Sequence, residues 1–346
     1  MPRNASIGRL GLAALAAVAV LAGVLVATRE PGDEGDKGGA SAAAPARDTP
    51  GCARPYSDSS PWNTPVGKSP ELLEQAQAQV DSIEGPLTSD PTQYTYPVYE
   101  VASDDPPGAV AFEGLFSDVR SPSTLVRTGP SSPGPKSVQV PIGDSMESAA
   151  GSDAQIVILN PETGDEWGFW QLRKDQAGAF RATNGYHYNT KWSGVPPTSE
   201  DGESFGSRGA GVPYLAGLVR PCEIERGRID HALAFAYSFP SSEFVYPATK
   251  SDGGSAPGES LPEGTRLQLD PGLSDADLTA LGCEGACLTI AQALRRYGMY
   301  VIDNSGSTKV ILEYEDTAGW DGAVSRETVS PIPLDAFRVV APPERP

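Results

Sequence analysis

The sequence predicts a mainly β protein, a β-sandwich of jelly-roll type. Three observations support this. Short apolar or alternating runs recur between turn signals along the chain. With 38 glycines and 33 prolines in 346 residues, there is little room for long helices. Two clear helical patterns interrupt the strands. No internal repeat is visible, which argues against a propeller or a β-helix.

The elements follow in order. Arg3 and Arg9 precede an uncharged apolar run from Leu10 to Thr28. A charged start and an apolar stretch of this length make residues 1–28 an expected signal peptide or signal anchor. Everything after it is expected outside the cell, held at the outer face of the membrane if the segment stays uncleaved. Residues 29–51 are Gly, Ala, Pro and charge, a linker with no large apolar side chain to bury. Residues 52–346 then form the sandwich domain.

A helix is expected over "SPELLEQAQAQVDSIEG", with Ser69 as N-cap, Pro70 at the first position and Gly85 after the end. A second covers "CLTIAQALRRYG", terminated by Gly298. A short helical turn is expected at Pro221. Strands are expected at 94–101, 109–116, 137–141, 155–159, 166–173, 179–183, 228–238, 265–269, 299–303, 309–315 and 335–340. Residues 189–214 read as a long rim or lid over a cleft, since a loop of that length in a compact domain is usually functional.

Four cysteines in an exported chain suggest two disulfides. The preferred pairing is Cys283–Cys287, closing the local loop "GCEGAC", with Cys52–Cys222. A formal net charge of -19 excludes a nucleic-acid partner. No Walker loop, Rossmann fingerprint, H-E-x-x-H or G-x-S-x-G elbow is present. With two histidines, a zinc enzyme is not expected. "SDADLT" and "DNSGS" are not complete calcium loops. No cofactor and no metal are expected, and the domain reads as a monomer.

Two stretches carry the candidate chemistry. In "GRIDHALAFAYS", Ile229, His231, Leu233, Phe235 and Tyr237 share one strand face, and Asp230, Ala232, Ala234, Ala236 and Ser238 share the other. The small face either packs under a covering layer or floors a groove. In "NPETGDEWGFWQLRKD", Glu166 and Trp170 share a face, separated by Gly168. An indole stacks on the apolar face of a sugar ring, and a carboxylate meets its hydroxyls or the glycosidic oxygen. The alternative is a core Trp beside an exposed Glu. The run "TNGYHYNTKWSG" adds Tyr186, His187, Tyr188, Lys191 and Trp192, a dense mixture suited to gripping a sugar. Asp252 in "KSDGG" and Asp303 in "IDNSG" lie in turn-like contexts.

Much of residues 154–306 resembles a group of exported, mostly actinobacterial proteins of unassigned activity. The likeness is carried by "EWGFWQLRKD", "SRGAGVPYLAGLV", "GRIDHALAFA", "YPATKSDG", "LPEGTRLQLDP" and "RRYGMYVIDNSG". It implies export and a single domain, and brings no reaction. In outline the chain is also similar to jelly-roll glycan hydrolases and lyases. It has neither the E-x-D-x-x-E strand of laminarinases nor the Q-x-H strand of alginate lyases.

The expected function is therefore an exported glycoside hydrolase acting on a polysaccharide or cell-surface glycan through paired carboxylates. Glu166 is the expected general acid, and Asp230, Asp252 or Asp303 its partner. His231 would orient a carboxylate or bind a hydroxyl, and Trp170 and Trp192 would stack on sugars. The first alternative is a polysaccharide lyase, with Tyr188, His187 or His231 as base and Arg208 or Lys191 neutralising a uronate. The second is a surface glycan-binding or structural module without catalysis.

Overall fold

The structure, a computed structural model, describes residues 52–113, 137–196 and 208–343. The expected export segment and linker, the end of the strand expected at 109–116, and residues 197–207 of the expected lid lie outside the described residues. Among the described residues no helix is long and apolar enough to cross a membrane.

A five-stranded sheet is the centre of the domain. Its order is Lys309–Val310, Leu233–Tyr237, Met299–Asn304, Arg266–Leu269 and Phe337–Val340. Leu233–Tyr237 runs parallel to Met299–Asn304 and antiparallel to Lys309–Val310. A parallel pair needs a crossover connection, and the chain between these two strands includes the helix Ala286–Arg296. Ile290, Ala291 and Leu294 of that helix join Leu233, Phe235, Leu267 and Val301 in one apolar core.

On the other side of this sheet, Ala232, Ala234 and Ala236 share a second core with Trp62, Tyr214, Tyr300 and Ile302. Val157, Leu159, Tyr186 and Tyr188 close that core from a four-stranded sheet of Val98–Glu100, Ile156–Leu159, Asp165–Trp170 and Asn184–Asn189. The opposite face of this second sheet packs Ile156, Ile158 and Phe169 against Val110, Val140 and Phe180 of a third, four-stranded sheet.

The protein is thus mainly β, as the sequence predicts. The sheets are mixed, however, with parallel pairs Val98–Glu100 to Ile156–Leu159 and Gly108–Phe112 to Phe180–Ala182. An antiparallel jelly roll has no such pairs. The helix expected over 69–85 shrinks to a 3-10 turn Glu74–Ala76 and the short helix Gln77–Asp81. Helices Asp275–Ala280 and Glu315–Ala318 were not anticipated. The strand expected from 228 begins only at Leu233, because the backbone before it serves other partners: the Ala232 N–H donates to the Trp62 carbonyl. The polar, aromatic run "TNGYHYNTKWSG", where no strand was expected, contains the regular strand Asn184–Asn189.

Both disulfides pair as expected, Cys52–Cys222 and Cys283–Cys287, with Cα atoms 6.1 and 5.1 Å apart. Two closed disulfides suit an oxidising environment.

The small face of Leu233–Tyr237 is explained by close packing. The Ala234 N–H donates to the Gly217 carbonyl at 2.8 Å, and a Cβ on Gly217 would fall 2.4 Å from the Ala234 nitrogen. A second length of backbone lies directly on the alanines, and Ala234 is fully buried. Only Ala236, at the far end, lines an open cleft. Ala234→Leu should therefore overpack this layer and destabilise the fold by about 1–3 kcal/mol. Chemical denaturation checks this; an unchanged midpoint would mean the layer has room to spare.

Candidate functional site

The expected acid, Glu166, is not at a surface. It is fully buried and accepts hydrogen bonds from Tyr56 Oη at 2.9 Å, from Tyr186 Oη and from the Leu215 N–H at 3.1 Å. The Tyr214 N–H donates to Tyr186 Oη at 2.6 Å, so the Tyr186 proton is directed at Glu166. Burial raises the carboxyl pKa, against the opposing effect of these donors. Gly168, which separates Glu166 from Trp170, makes room for a protein ring. A Cβ there would lie 2.2 Å from Tyr186 Cε1. The space expected to receive a sugar is filled by tyrosine, and Glu166 ties the 208–218 segment to the second sheet.

Asp230 and His231 also serve the fold. Asp230 pairs with Arg228 at 2.6 Å. His231 is buried between the Ala232 carbonyl, 2.9 Å from Nδ1, and Glu223 Oε1, 3.0 Å from Nε2. Both neighbours accept, so both ring nitrogens donate. Burial alone would discharge the ring, but Glu223 outweighs it and raises the pKa. The pair fastens the helix Pro221–Glu225, which carries Cys222, to the start of the central strand.

The aromatic run divides along its strand. Tyr186 and Tyr188 point into the second core. His187 stacks on Trp167, centroids 4.9 Å apart, and meets Asp165 at 2.9 Å. Trp170 is half-buried at its strand end, Lys191 is exposed, and Trp192 packs edge-on against Tyr188. None of them lines the open cleft described below. Residues 208–214 of the expected lid are buried in the core.

The remaining two candidates do meet. Oxygens of Asp252, Asp303 and Glu263 all lie within 4.8 Å of one another. Asp303 sits at a bulge of the strand Met299–Asn304, where two residues after Val301 span one step of the neighbouring strand. A bulge re-aims a side chain, and here the Ile302 carbonyl released from the ladder accepts from the Ala210 N–H at 2.9 Å. Glu263 comes from the two-residue strand Pro262–Glu263, and Asp252 from the loop after Thr249.

Gly209 holds the three together. A Cβ on it would come within 2.4 Å of Asp252 Oδ1 and 2.5 Å of Glu263 Oε1. Its N–H donates to Asp303 Oδ1 at 3.3 Å, and the Asn304 N–H donates to Asp252 Oδ1 at 3.3 Å. Glu263 is fully buried, and no donor among the described residues hydrogen-bonds to either of its oxygens. A bare carboxylate in that position would be costly. Burial, with Asp252 and Asp303 beside it, pushes its pKa up to about 11, so it keeps its proton. Burial and Asp252 raise Asp303 to about 7, against the opposing pull of Arg208 and Lys250.

The spacing would suit a divalent cation as well as a proton. Arg208 and Lys250 act on Asp303, and two backbone N–H groups point at the cluster.

Asp303 borders a cleft of about 460 Å³, whose walls include Tyr94, Tyr96, Asp153, Gln155, Lys309 and Arg326. Tyr96 Oη accepts from Arg208 Nε at 3.0 Å. Burial raises its pKa to about 12, so it is a hydrogen-bond donor rather than a base. Lys309 Nζ donates to the Tyr94 carbonyl at 2.6 Å.

Glu263 was missed by sequence reasoning although it lies in the quoted "LPEGTRLQLDP". Its Pro-Glu-Gly setting reads as a turn before a strand. Tyr96 and Lys309 gave no signal beyond their strands. No family model, no curated protein and no solved structure matches this chain.

Two outcomes follow. Glu166→Gln turns an amide donor toward groups that already donate. It should cost about 1–3 kcal/mol of stability while leaving any glycan turnover per folded molecule intact. Loss of turnover at unchanged stability would return Glu166 to the active site. For Glu263 the sign is fixed by its raised pKa. Its folded value lies above its unfolded one, so its contribution is complete below the ordinary glutamate range and drains away as pH rises toward 11. Over pH 5–9 the native chain holds a proton that the unfolded chain has lost. Glu263→Gln needs no such proton. Its stability advantage over wild type should grow with pH, up to about tenfold in the folding constant per unit; denaturation at several pH values reads it, and parallel curves would refute it.

Proposed function

We propose that the protein is an exported glycoside hydrolase whose reaction centre is the Asp252–Glu263–Asp303 cluster beside the cleft. The observation that carries this reading is the convergence of three carboxyl groups, of which Asp303 opens onto a cleft large enough for a sugar. Hydrolysis of a glycosidic bond needs one carboxylic acid to protonate the leaving oxygen and one carboxylate on the sugar. Asp303 is suited to the first role, because a pKa of about 7 lets it hold and release a proton near neutrality. Asp252, exposed and next to Asp303 but outside the cleft wall, is assigned the second. Glu263, out of reach of any substrate, keeps its proton and orients Asp252.

The cleft suits a glycan. Its walls combine Asp153, Gln155, Lys309 and Arg326 with the apolar Ala236 and Ile311, and the 41% exposed ring of Tyr94 stands at its edge as an apolar surface for a sugar face. The lyase alternative has less support. Tyr188, His187 and His231 do not line this cleft, and Tyr96, which does, keeps its proton throughout the physiological range. Export is supported by the two disulfides and by the charged and apolar N-terminal pattern.

Incubation with a panel of polysaccharides, read by new reducing ends, tests the proposal. An acid must be protonated to act, so kcat/KM should fall as pH rises through about 7. Asp303→Asn should lower it by about 10²–10⁴-fold. A profile flat from pH 6 to 9, or an active Asp303→Asn variant, would remove Asp303 from the reaction.

A further inference from the structure

We infer that Asp252, Glu263 and Asp303 form a binding site for one calcium ion. The inference goes beyond the hydrolytic reading and does not depend on it. Two observations carry it. The first is convergence: one oxygen from each of the three groups lies within 4.8 Å of the other two. Calcium binds oxygen ligands at about 2.3–2.6 Å, so two oxygens on one ion stand at most roughly 5 Å apart. The three groups come from separate segments: the strand Met299–Asn304, the strand Pro262–Glu263 and the loop after Thr249. Asp303 lies in "DNSGS", which read alone is an incomplete calcium loop. Asp252 and Glu263 bring from elsewhere the ligands it lacks.

The second observation is Glu263. Its side chain is fully buried and aimed into the cluster, and no donor among the described residues hydrogen-bonds to either oxygen. Buried acids are normally paired with a base or bound to a metal. Among the described residues, none of the three acids forms an ion pair with a lysine or arginine. Arg208 acts on Asp303 from a distance, and donates instead to the Ala216 and Tyr214 carbonyls and to Tyr96 Oη. A proton engages one oxygen of Glu263 and leaves the other without a partner. A calcium ion takes both, since it accepts bidentate carboxylates.

The donor set selects the ion. Every group is a hard oxygen, with no imidazole or thiolate among them. Such ligands suit calcium or magnesium rather than zinc or copper. Magnesium demands a near-ideal octahedron and keeps several waters, whereas calcium tolerates irregular carboxylate sets. Two orphaned oxygens on one buried carboxylate match calcium. The Gly209 N–H on Asp303 and the Asn304 N–H on Asp252 hold those two groups in place, and each keeps lone pairs for an ion. Asp252 is exposed and Asp303 borders the cleft, which gives the ion its way in. Metal binding releases protons from its ligands. The hydrolytic form is therefore the calcium-free one, in which the cluster carries a proton instead.

The test is calcium binding by the full chain, stripped with EDTA and dialysed, with no glycan present. Isothermal titration calorimetry should show one calcium per chain, with a Kd of about 10⁻⁴–10⁻³ M as in extracellular sites. Calcium at ten times its Kd should raise the folding constant about tenfold, read as a higher melting midpoint. Glu263→Gln should weaken binding by about tenfold or more, since affinity follows the ligand charge. Asp252→Asn should do the same at an exposed position, which keeps the test open if the Glu263 variant folds poorly. No saturable binding up to about 10 mM calcium overturns the inference. So does an affinity unchanged in both variants, or magnesium bound as tightly as calcium. All of these are read without turnover, so they leave the hydrolytic reading to its own experiment.

Discussion

A buried guanidinium, bonded among the described residues to two carbonyls and a hydroxyl and to no carboxylate, is the constraint on which the rest depends. Arg208 is fully buried, and its charge is compensated by the carbonyls of Ala216 and Tyr214, each at 2.6 Å, and by the Tyr96 hydroxyl at 3.0 Å. It also lies over the Tyr96 ring, 4.8 Å from the centroid. A buried charge is tolerated only when its donors are engaged and its field is answered. Here the field is answered at a distance. It opposes the upward shifts of both Glu166 and Asp303. One side chain therefore bears on the carboxylate that locks the fold and on the carboxyl proposed for catalysis, and it orients the tyrosine on the cleft wall.

Close approach is the second theme, and glycine is its instrument at two places. Gly168 admits the Tyr186 ring that serves Glu166, and Gly209 admits two carboxyl groups against the backbone. A glycine inside a strand pattern often marks such an approach. The two sites differ in what the approach brings. At Gly168 it brings a donor, and the carboxylate is satisfied. At Gly209 it brings carboxyl against carboxyl, and the cluster must hold a proton. That difference separates the satisfied Glu166 from the proton-holding Glu263 more clearly than burial does, since the two are equally buried.

Acid clusters are costly, and here the cost is placed beside a cleft. The bulge at Asp303 gives up a ladder position, and burial beside two other acids holds Glu263 in its protonated form. Strain and unsatisfied groups collect at functional sites for this reason: the surrounding packing overrides what the local groups would prefer. The apolar cores on either side of the central sheet supply that packing.

By itself the sequence determined the β class, the helix Ala286–Arg296, the turn of helix at Pro221 and both disulfide pairings. Each rests on local signals: turn residues, caps, alternation and the short loop of "GCEGAC". It also picked out Asp252 and Asp303. Alternation along "GRIDHALAFAYS" could show that one face is small, but not that Gly217 and Trp62 would cover it. It could place Glu166 and Trp170 on one face, but not the Tyr186 ring between them. The parallel pairing of Leu233–Tyr237 with Met299–Asn304, the burial of Arg208 and the meeting of Glu263 with Asp252 and Asp303 were decided by the tertiary structure alone. Periodicity describes which way a side chain leaves its own strand. Which groups come within a few ångströms across layers depends on register, on a bulge and on the space a glycine leaves, and these exist only once distant segments have packed.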